Sequence, residues 1–195
     1  MLKRIYPKAI WNFSRQQAVI YLTFDDGPVE GLTEWVLDEL QKYKAKATFF
    51  CVGANVLKND AIFQRIKNEG HQVGNHTMSH IKGSKVSVKT YLDEAHECKK
   101  LAANNLFRPP YGQMKRAQYK ALLSQGFKLV LWDVISYDYE KISTAACAEN
   151  VLKHTRNGSI VLFHDNVKAE VNLKHALPLF LKEFSDKGFR FEKIT

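Results

Sequence analysis

Two adjacent carboxylates stand at the end of an apolar run near the start of this sequence. The run at 19–24 is rich in β-branched and aromatic side chains, which predicts a buried strand. Asp25 and Asp26 follow it directly, and Gly27-Pro28 then turns the chain. Adjacent carboxylates repel each other, so they need a cation, an arginine or a shared proton. The pair suggests a metal or acid–base site, but it also fits a solvated turn, because Asp-Gly is a common turn dipeptide.

Two histidines four residues apart offer nitrogen ligands that match these acids. His76 and His80 follow a predicted strand at 70–74, and at this spacing they can meet on one face of a helical turn. Together with Asp26 they form a set of two nitrogens and one oxygen, which leaves a coordination position open, as in catalytic zinc sites. One such spacing can arise by chance among seven histidines. The metal site is favoured because the carboxyl ends of strands cluster in a barrel or parallel sheet.

Three further apolar stretches also end in polar or cationic side chains. They are 106–107, a predicted strand at 127–133 and another at 159–163, and they are followed in turn by Arg108, by Asp138 with Tyr139, and by His164 with Asp165. A buried core explains the apolar stretches but not the polar group that follows each one.

Five short motifs occur in order along the chain. They are TFDDGP at 23–28, HTMSH at 76–80, RPPYG at 108–112, a Trp-Asp…Asp-Tyr stretch at 132–139 and LFHD at 162–165. Each motif is weak evidence alone, but in this order the sequence resembles the polysaccharide deacetylases, also called the NodB homology domain or carbohydrate esterase family four. The resemblance implies a metal-dependent hydrolase that removes N-acetyl groups from N-acetylglucosamine-containing glycans, such as chitin oligomers or peptidoglycan.

This resemblance assigns roles to the residues around the expected metal. Asp26, His76 and His80 are expected to bind a divalent ion, with zinc favoured and cobalt or nickel also suited to imidazole and carboxylate ligands. Asp25 is expected to act as the general base toward a water molecule. Arg108 is expected to pair with Asp25 and to keep it deprotonated before attack.

The remaining roles concern the oxyanion, the leaving amine and the acyl group. The resemblance implies that the backbone N–H of Tyr111 supplies the oxyanion hole. His164 is the expected general acid, with Asp138 as its partner. Leu162 and Tyr139 are expected to line the slot for the acetyl methyl. The family commonly has tryptophan where this chain has Tyr139, so the size of the acyl group stays open.

Predicted strands and helices alternate almost without a break from residue 19 onward. Helices are predicted at 32–44, 60–69, 87–104, 115–125, 143–154 and 171–187, and further strands at 47–52 and 189–194. About seven β-then-α units favour a parallel sheet with right-handed crossovers, but do not decide between an open sheet and a closed barrel. The resemblance implies a distorted (β/α)7 barrel, and we expect one domain over 1–195.

Composition limits the partners and the location. A net charge of +9 permits nucleic acid or anionic polymers, but the cations are scattered and no RNA-binding motif occurs, so we expect no nucleic-acid partner. No apolar run approaches the ~20 residues that would span a bilayer, so we expect no membrane insertion. Three widely spaced cysteines predict buried, reduced thiols. With no apolar stretch behind the first basic residues, a cytoplasmic location is expected.

Two alternatives stay open. The same fold could deacetylate or deformylate a cytoplasmic lipid-linked sugar or another small amide. A catalytically silent carbohydrate-binding module is the second alternative. Its mark would be a missing catalytic acid or metal ligand, and every one of these residue types is present.

Overall fold

The computed structural model describes residues 2–195 of the chain, with side-chain surroundings from residue 3 onward. The strands in that range are β1 (Val19–Asp25), β2 (Ala47–Cys51), β3 (Gln72–Asn75), β4 (Leu106–Phe107), β5 (Lys128–Leu129), β6 (Val134–Ile135), β7 (Ile160–His164) and β8 (Arg190–Phe191). The α-helices are α1 (Leu2–Ile5), α2 (Leu32–Lys42), α3 (Gly53–Lys58), α4 (Asp60–Asn68), α5 (Val88–Ala102), α6 (Arg116–Ser124), α7 (Thr144–His154) and α8 (Glu170–Asp186).

The strands form a parallel sheet in the order β5-β4-β3-β2-β1-β7-β6. Strand β8 pairs with the start of β1, and β2 pairs with its end. Within residues 2–195, the strands at the two ends of the ladder, β5 and β6, do not pair with each other. The expected distorted (β/α)7 barrel is therefore confirmed as a parallel-strand half-barrel with helices.

Strand β1 lies at the centre of this sheet. Its burial pattern is almost continuous, because neighbouring strands cover both edges and packed side chains cover both faces. A central parallel strand is expected to be apolar throughout for this reason. The polar pair at its end is therefore held at a fixed position.

Aromatic side chains join the central strands to the outer helices. The Phe24 ring stacks on Phe49 at a centroid distance of 5.0 Å and on Phe163 at 6.1 Å, and Phe163 meets Phe180 of α8 edge-on at 5.9 Å. Full burial of each ring contributes about 1.5–3 kcal/mol. This packing makes the ends of β1, β2 and β7 a rigid base for the residues that follow them.

Residues 10–13, which precede β1, form backbone hydrogen bonds to the chain next to β5 and to the residues just before β7. Ile10 accepts a hydrogen bond from Leu131 N at 2.8 Å and donates one to Leu129 O at 2.8 Å, while Phe13 donates to Gly158 O at 2.8 Å. The predicted continuous strand at 127–133 was wrong for this reason. Ile10 takes the backbone pairing beyond Leu129, so the stretch forms one short strand, β5, and β6 begins only after it, at Val134.

Two further expectations can be compared with the structure. The thiols of Cys51, Cys98 and Cys147 are buried and unpaired, as predicted. No helix between residues 2 and 195 is both long enough and apolar enough to cross a membrane.

Candidate active site

The segments that follow strands β1 to β7 surround a cavity of about 700 Å³. Its walls include eight of the predicted site residues: Asp25, Asp26, His76, His80, Tyr111, Tyr139, Leu162 and His164. The other two, Arg108 and Asp138, are fully buried and contact Asp25 and His164 from behind. The structure therefore brings every predicted site residue to one place.

Asp26, His76 and His80 converge on a shared point. One ligand atom from each lies within 4.8 Å of the others. Asp26 Oδ1 is 3.1 Å from His80 Nε2 and 3.4 Å from His76 Nε2. His76 Nδ1 lies 2.8 Å from the carbonyl oxygen of Arg108, which can only accept, so Nδ1 carries the proton. Nε2 of His76 is therefore the ring nitrogen that faces the carboxylate, and its lone pair can bind a cation when it carries no proton.

This donor set fits a divalent cation. Asp26 Oδ1 is buried and has no hydrogen-bond partner among the described residues. Burial by itself raises the pKa of Asp26, but hydrogen bonds and charge from the His76 and His80 imidazoles in their protonated form outweigh it and hold that pKa well below its ordinary range. A divalent cation in place of those protons would satisfy the unpartnered Asp26 oxygen in the same way and would be bound by the Nε2 lone pairs of both imidazoles. The backbone bond of His76 is the outer contact that orients a histidine ligand.

The loop that carries both histidines is not helical, so the predicted helical turn was wrong. Thr77 and His80 have φ values of 65° and 56°, in the left-handed region. The Asn75 side chain accepts a hydrogen bond from Thr77 N at 2.9 Å and donates one to Ala95 O at 2.6 Å. These bonds turn the chain sharply after β3, and the two imidazoles meet because of that turn.

Asp26 also has a left-handed backbone, with a φ of 87°. Asn55 donates a hydrogen bond to its carbonyl at 2.8 Å. Asp165 accepts one from Gly27 N at 3.0 Å and one from the Thr33 hydroxyl at 2.6 Å. A Cβ at residue 27 would lie 1.9 Å from Asp165 Oδ2, so only glycine fits there. Such strained backbone persists where its surroundings fix it, and often at functional sites.

Asp25 is held by Arg108 beneath the cavity floor. Arg108 Nη1 donates to Asp25 Oδ1 at 2.7 Å, and the guanidinium also donates to Thr23 and to two backbone carbonyls. Its Cζ lies 4.1 Å from the centroid of the Phe50 ring and 5.5 Å from that of Trp132. The expected pair is present, with the carboxylate turned toward the cavity.

His164 and Asp138 form the second buried pair. His164 Nδ1 donates to Asp138 Oδ1 at 2.8 Å, and the His164 backbone N–H donates to Oδ2 at 2.8 Å. Burial lowers the pKa of His164, but the charge and hydrogen bond of Asp138 outweigh it and raise that pKa to about 9. The imidazole is therefore protonated at neutral pH and lines the cavity.

The cavity rim is aromatic. Tyr111 has a φ of 61° and stacks 4.8 Å from the His80 ring. Tyr139 packs edge-on against His164 at 4.7 Å, and Leu162 is buried below them. Tyr139 therefore occupies the wall position predicted for it.

Several contributing residues were not assigned from the sequence. Trp132, which received no role from the sequence, lines the cavity beside Arg108. Asn55 and Asn166 both hydrogen-bond to Asp26. Asn166 directly follows the LFHD motif, and this adjacency was the available signal. Asn55 lies in the short helix α3, which the pattern did not predict.

Comparison with known proteins identifies similar chains. A family model described as polysaccharide deacetylase matches residues 14–130. A peptidoglycan-N-acetylglucosamine deacetylase of Bacillus cereus is 33% identical over 192 residues, covering 95% of this chain and 90% of the relative. A chitooligosaccharide deacetylase of Sinorhizobium fredii is 34% identical over 153 residues, covering 75% of this chain and 71% of the relative.

A solved structure shares the fold over nearly the whole chain. It is a crystal structure of a peptidoglycan N-acetylglucosamine deacetylase in complex with 4-naphthalen-1-yl-N-oxidanyl-benzamide. The superposition has a TM-score of 0.88 at 34% identity and covers 96% of this chain and 91% of the other.

Proposed function

This chain belongs to the polysaccharide deacetylase family, and from that premise we propose that it hydrolyses N-acetyl groups on N-acetylglucosamine-containing glycans with the help of a divalent metal. The observation that carries the proposal is the convergence of three sets of side chains on one cavity. These sets are the ligand candidates around Asp26, the Asp25–Arg108 pair and the His164–Asp138 pair.

Asp26, His76 and His80 would hold the cation. Two observations support this: one ligand atom of each lies within 4.8 Å of the others, and Asp26 Oδ1 is buried without a hydrogen-bond partner among the described residues. When bound, a divalent cation would polarise the acetamide carbonyl and lower the pKa of a water molecule to about 7. Two imidazoles and one carboxylate suit zinc best, and cobalt or nickel next.

Asp25 takes the proton from the attacking water in this proposal. Arg108 satisfies its Oδ1, which leaves Oδ2 available on the cavity side. The water oxygen then bonds to the acetamide carbon, and the backbone N–H of Tyr111 stabilises the oxyanion. One such donor typically contributes about 3 kcal/mol to lowering the barrier.

His164 completes the reaction as the general acid. Its raised pKa, about 9, keeps a proton on the ring at neutral pH. That proton goes to the glycan nitrogen as the carbon–nitrogen bond breaks, which releases acetate and the free amine. Tyr139 and Leu162 form the wall beside the acyl group, and the hydroxyl of Tyr139 makes that wall more polar than tryptophan would.

The direct test is acetate release from chitin oligomers and from peptidoglycan fragments. We expect release by the metal-loaded protein, loss after treatment with a strong chelator, and recovery when zinc or cobalt is added. Soluble N-acetylated sugar nucleotides assayed in parallel would reveal a preference for a small precursor.

Asp25→Asn separates catalysis from metal binding. Loss of a general base typically lowers the rate by about 10²–10⁴-fold. We expect a loss of that size with one metal ion still bound per chain. Activity untouched both by the chelator and by Asp25→Asn would refute the proposed mechanism.

A further inference from the structure

The residue after the general-acid motif reaches the carboxylate of Asp26. Asn166 Nδ2 donates a hydrogen bond to Asp26 Oδ2 at 2.5 Å. Its own Oδ1 accepts a hydrogen bond from Ala169 N at 3.1 Å, in the turn that leads into α8. Because that oxygen is engaged by an N–H group, the NH2 group of the amide must be the end that faces Asp26.

This contact makes the two oxygens of Asp26 unequal. Oδ2 accepts a hydrogen bond from the amide of Asn166, whereas Oδ1 is buried, has no hydrogen-bond partner within the described part of the chain and faces the imidazoles of His76 and His80. Carboxylates can bind a metal through one oxygen or through both. Because one oxygen of this carboxylate already accepts a hydrogen bond from an amide, the carboxylate is positioned to bind a metal through the other oxygen alone.

We propose that Asn166 is a positioning residue that restricts Asp26 to binding the metal through a single oxygen, Oδ1. The consequence is that one more coordination position stays open for the substrate carbonyl or water, as catalytic metal sites require. This inference rests on the proposed function, because it concerns the same metal site.

A purely structural role for Asn166 predicts a different outcome. Removing an outer residue that merely orients a metal ligand typically weakens metal binding by about 10–100-fold. In our proposal, loss of the amide frees Oδ2 to bind as well. Metal affinity then holds or rises, while ligands that need the open positions bind more weakly.

Asn166→Ser is the variant that separates these outcomes. The serine hydroxyl can still accept from Ala169 N, which keeps the turn into α8, but it is too short to reach Asp26 as the amide does. The protein is freed of metal, and the affinity for Co²⁺ is measured by titration calorimetry. The cobalt-loaded protein is then titrated with acetohydroxamate, which chelates through two oxygens and needs open positions on the metal.

We expect Asn166→Ser to bind Co²⁺ as tightly as the wild type or more tightly, and acetohydroxamate more weakly by about threefold or more, a change of about 0.7 kcal/mol or more. A weaker Co²⁺ affinity, or a smaller loss of acetohydroxamate affinity, would overturn the proposal. Asn166→Ala is expected to behave in the same way and replaces the serine variant if that one does not fold.

Asn59→Ser is the matched control. It removes the same kind of amide from the same loop after β1, because Asn59 donates to the carbonyl of Pro28 at 2.9 Å and does not line the cavity. We expect this control to retain the wild-type affinity for acetohydroxamate. An equal loss in both variants would mean that any loosening of the loop has this effect, and would overturn the inference. Failure of the wild type to bind Co²⁺ would instead remove the proposed function itself.

Discussion

Two ion pairs form part of this site, and in each pair one residue is fully buried behind the other. Arg108 and Asp138 are fully buried, while their partners Asp25 and His164 face the cavity. Arg108 and Asp138 fix the orientation of the partners that face the cavity, and Asp138 also raises the pKa of His164. Arg108 and Asp138 therefore act through Asp25 and His164 and do not contact the substrate themselves.

Replacing Asp138 with asparagine is expected to move the alkaline limit of activity. The activity of the wild type should fall as the pH rises through about 9, because the pKa of His164 is raised to about 9 and the general acid must be protonated. In Asp138→Asn, burial is opposed only by the smaller effects of the Asp25 and Asp26 charges, so the pKa of His164 falls from about 9 toward its ordinary ~6.5. Activity at about pH 8 should then drop by at least about tenfold, and by less near pH 6.

Acetate release measured across pH checks this prediction, with the exposed neighbour variant Glu140→Gln as the control. If the activity of Asp138→Asn still falls only near pH 9, His164 is not the general acid that Asp138 keeps protonated.

The His164–Asp138 pair also affects the stability of the fold. Because the pKa of His164 is raised on folding, its contribution is fully present below about pH 6.5 and is lost as the pH rises through about 9.

Arg108→Met should be strongly destabilising, because it leaves the buried charge of Asp25 without its partner. Breaking a buried pair in this way typically costs about 3–5 kcal/mol. Arg65→Met is the matched control, since Arg65 forms partly exposed pairs with Asp38 and Glu69 and should contribute about 1 kcal/mol or less. Urea unfolding measures both, and equal losses would contradict our view of Arg108.

At the scale of elements, short loops after the strands carry the site, and helices hold those loops in place. The loop after β3 is attached to α5 at two points. Asn75 bonds to Ala95 O, and the carboxylate of Glu94 accepts from the Ser79 backbone at 2.8 Å and from the Ser79 hydroxyl at 2.9 Å. Ser79 directly precedes the ligand candidate His80, so α5 positions that imidazole.

Glu94→Gln is expected to weaken metal binding. Glutamine keeps one acceptor oxygen but loses the second, so Ser79 is held less firmly and His80 becomes less well placed. By analogy with other outer contacts of metal ligands, the loss of Co²⁺ or Zn²⁺ affinity should be about tenfold. Glu97→Gln on the same helix, where Glu97 pairs only with Lys100 at the surface, should leave the affinity unchanged. Calorimetric titration of both variants distinguishes them, and equal affinities would exclude this role for Glu94.

The alternation of strands and helices, the parallel sheet and the polar residues at the strand ends could be predicted from the sequence. Apolar runs mark buried strands, and a parallel arrangement gathers their carboxyl ends, so Asp25, Asp26 and His164 were placed correctly. The conformation after β3 could not be predicted, because it depends on the bonds of Asn75 to Thr77 and to Ala95 of α5. Sequence spacing suggested a helical turn, whereas tertiary contacts impose left-handed residues.

The strand at 127–133 shows the same limitation. Its apolar character reflects burial, which the pattern detects, but its backbone partner beyond Leu129 is Ile10, far away in the sequence. The contact of Asn166 with Asp26 likewise requires β7 and β1 to be neighbours. Periodicity reveals burial, but not which distant backbone or side chain supplies the partner.

At the scale of the whole molecule, the half-barrel brings residues from position 25 to position 164 around one cavity. The aromatic packing between β1, β2 and β7 fixes the strand ends that carry Asp25 and His164. The glycan substrate, the single domain, the lack of a nucleic-acid partner and the cytoplasmic location stay predictions.

Metal binding should stabilise the whole fold. A cation that binds only the folded chain adds about 2.7 kcal/mol when its free concentration is 100 times the dissociation constant. We therefore expect the melting temperature to rise with added Zn²⁺ after chelator treatment, by an amount that depends on the metal concentration. His80→Ala should largely abolish this rise. A wild-type protein with no metal-dependent shift would contradict a specific site.

The central claim is that Asp26, His76 and His80 share one divalent ion, and anomalous diffraction from a zinc- or cobalt-loaded crystal tests it most directly. Our account predicts a single strong peak about 2 Å from Asp26 Oδ1 and from the Nε2 atoms of His76 and His80. A peak bound by other residues, or none at this position with equimolar metal, would contradict it.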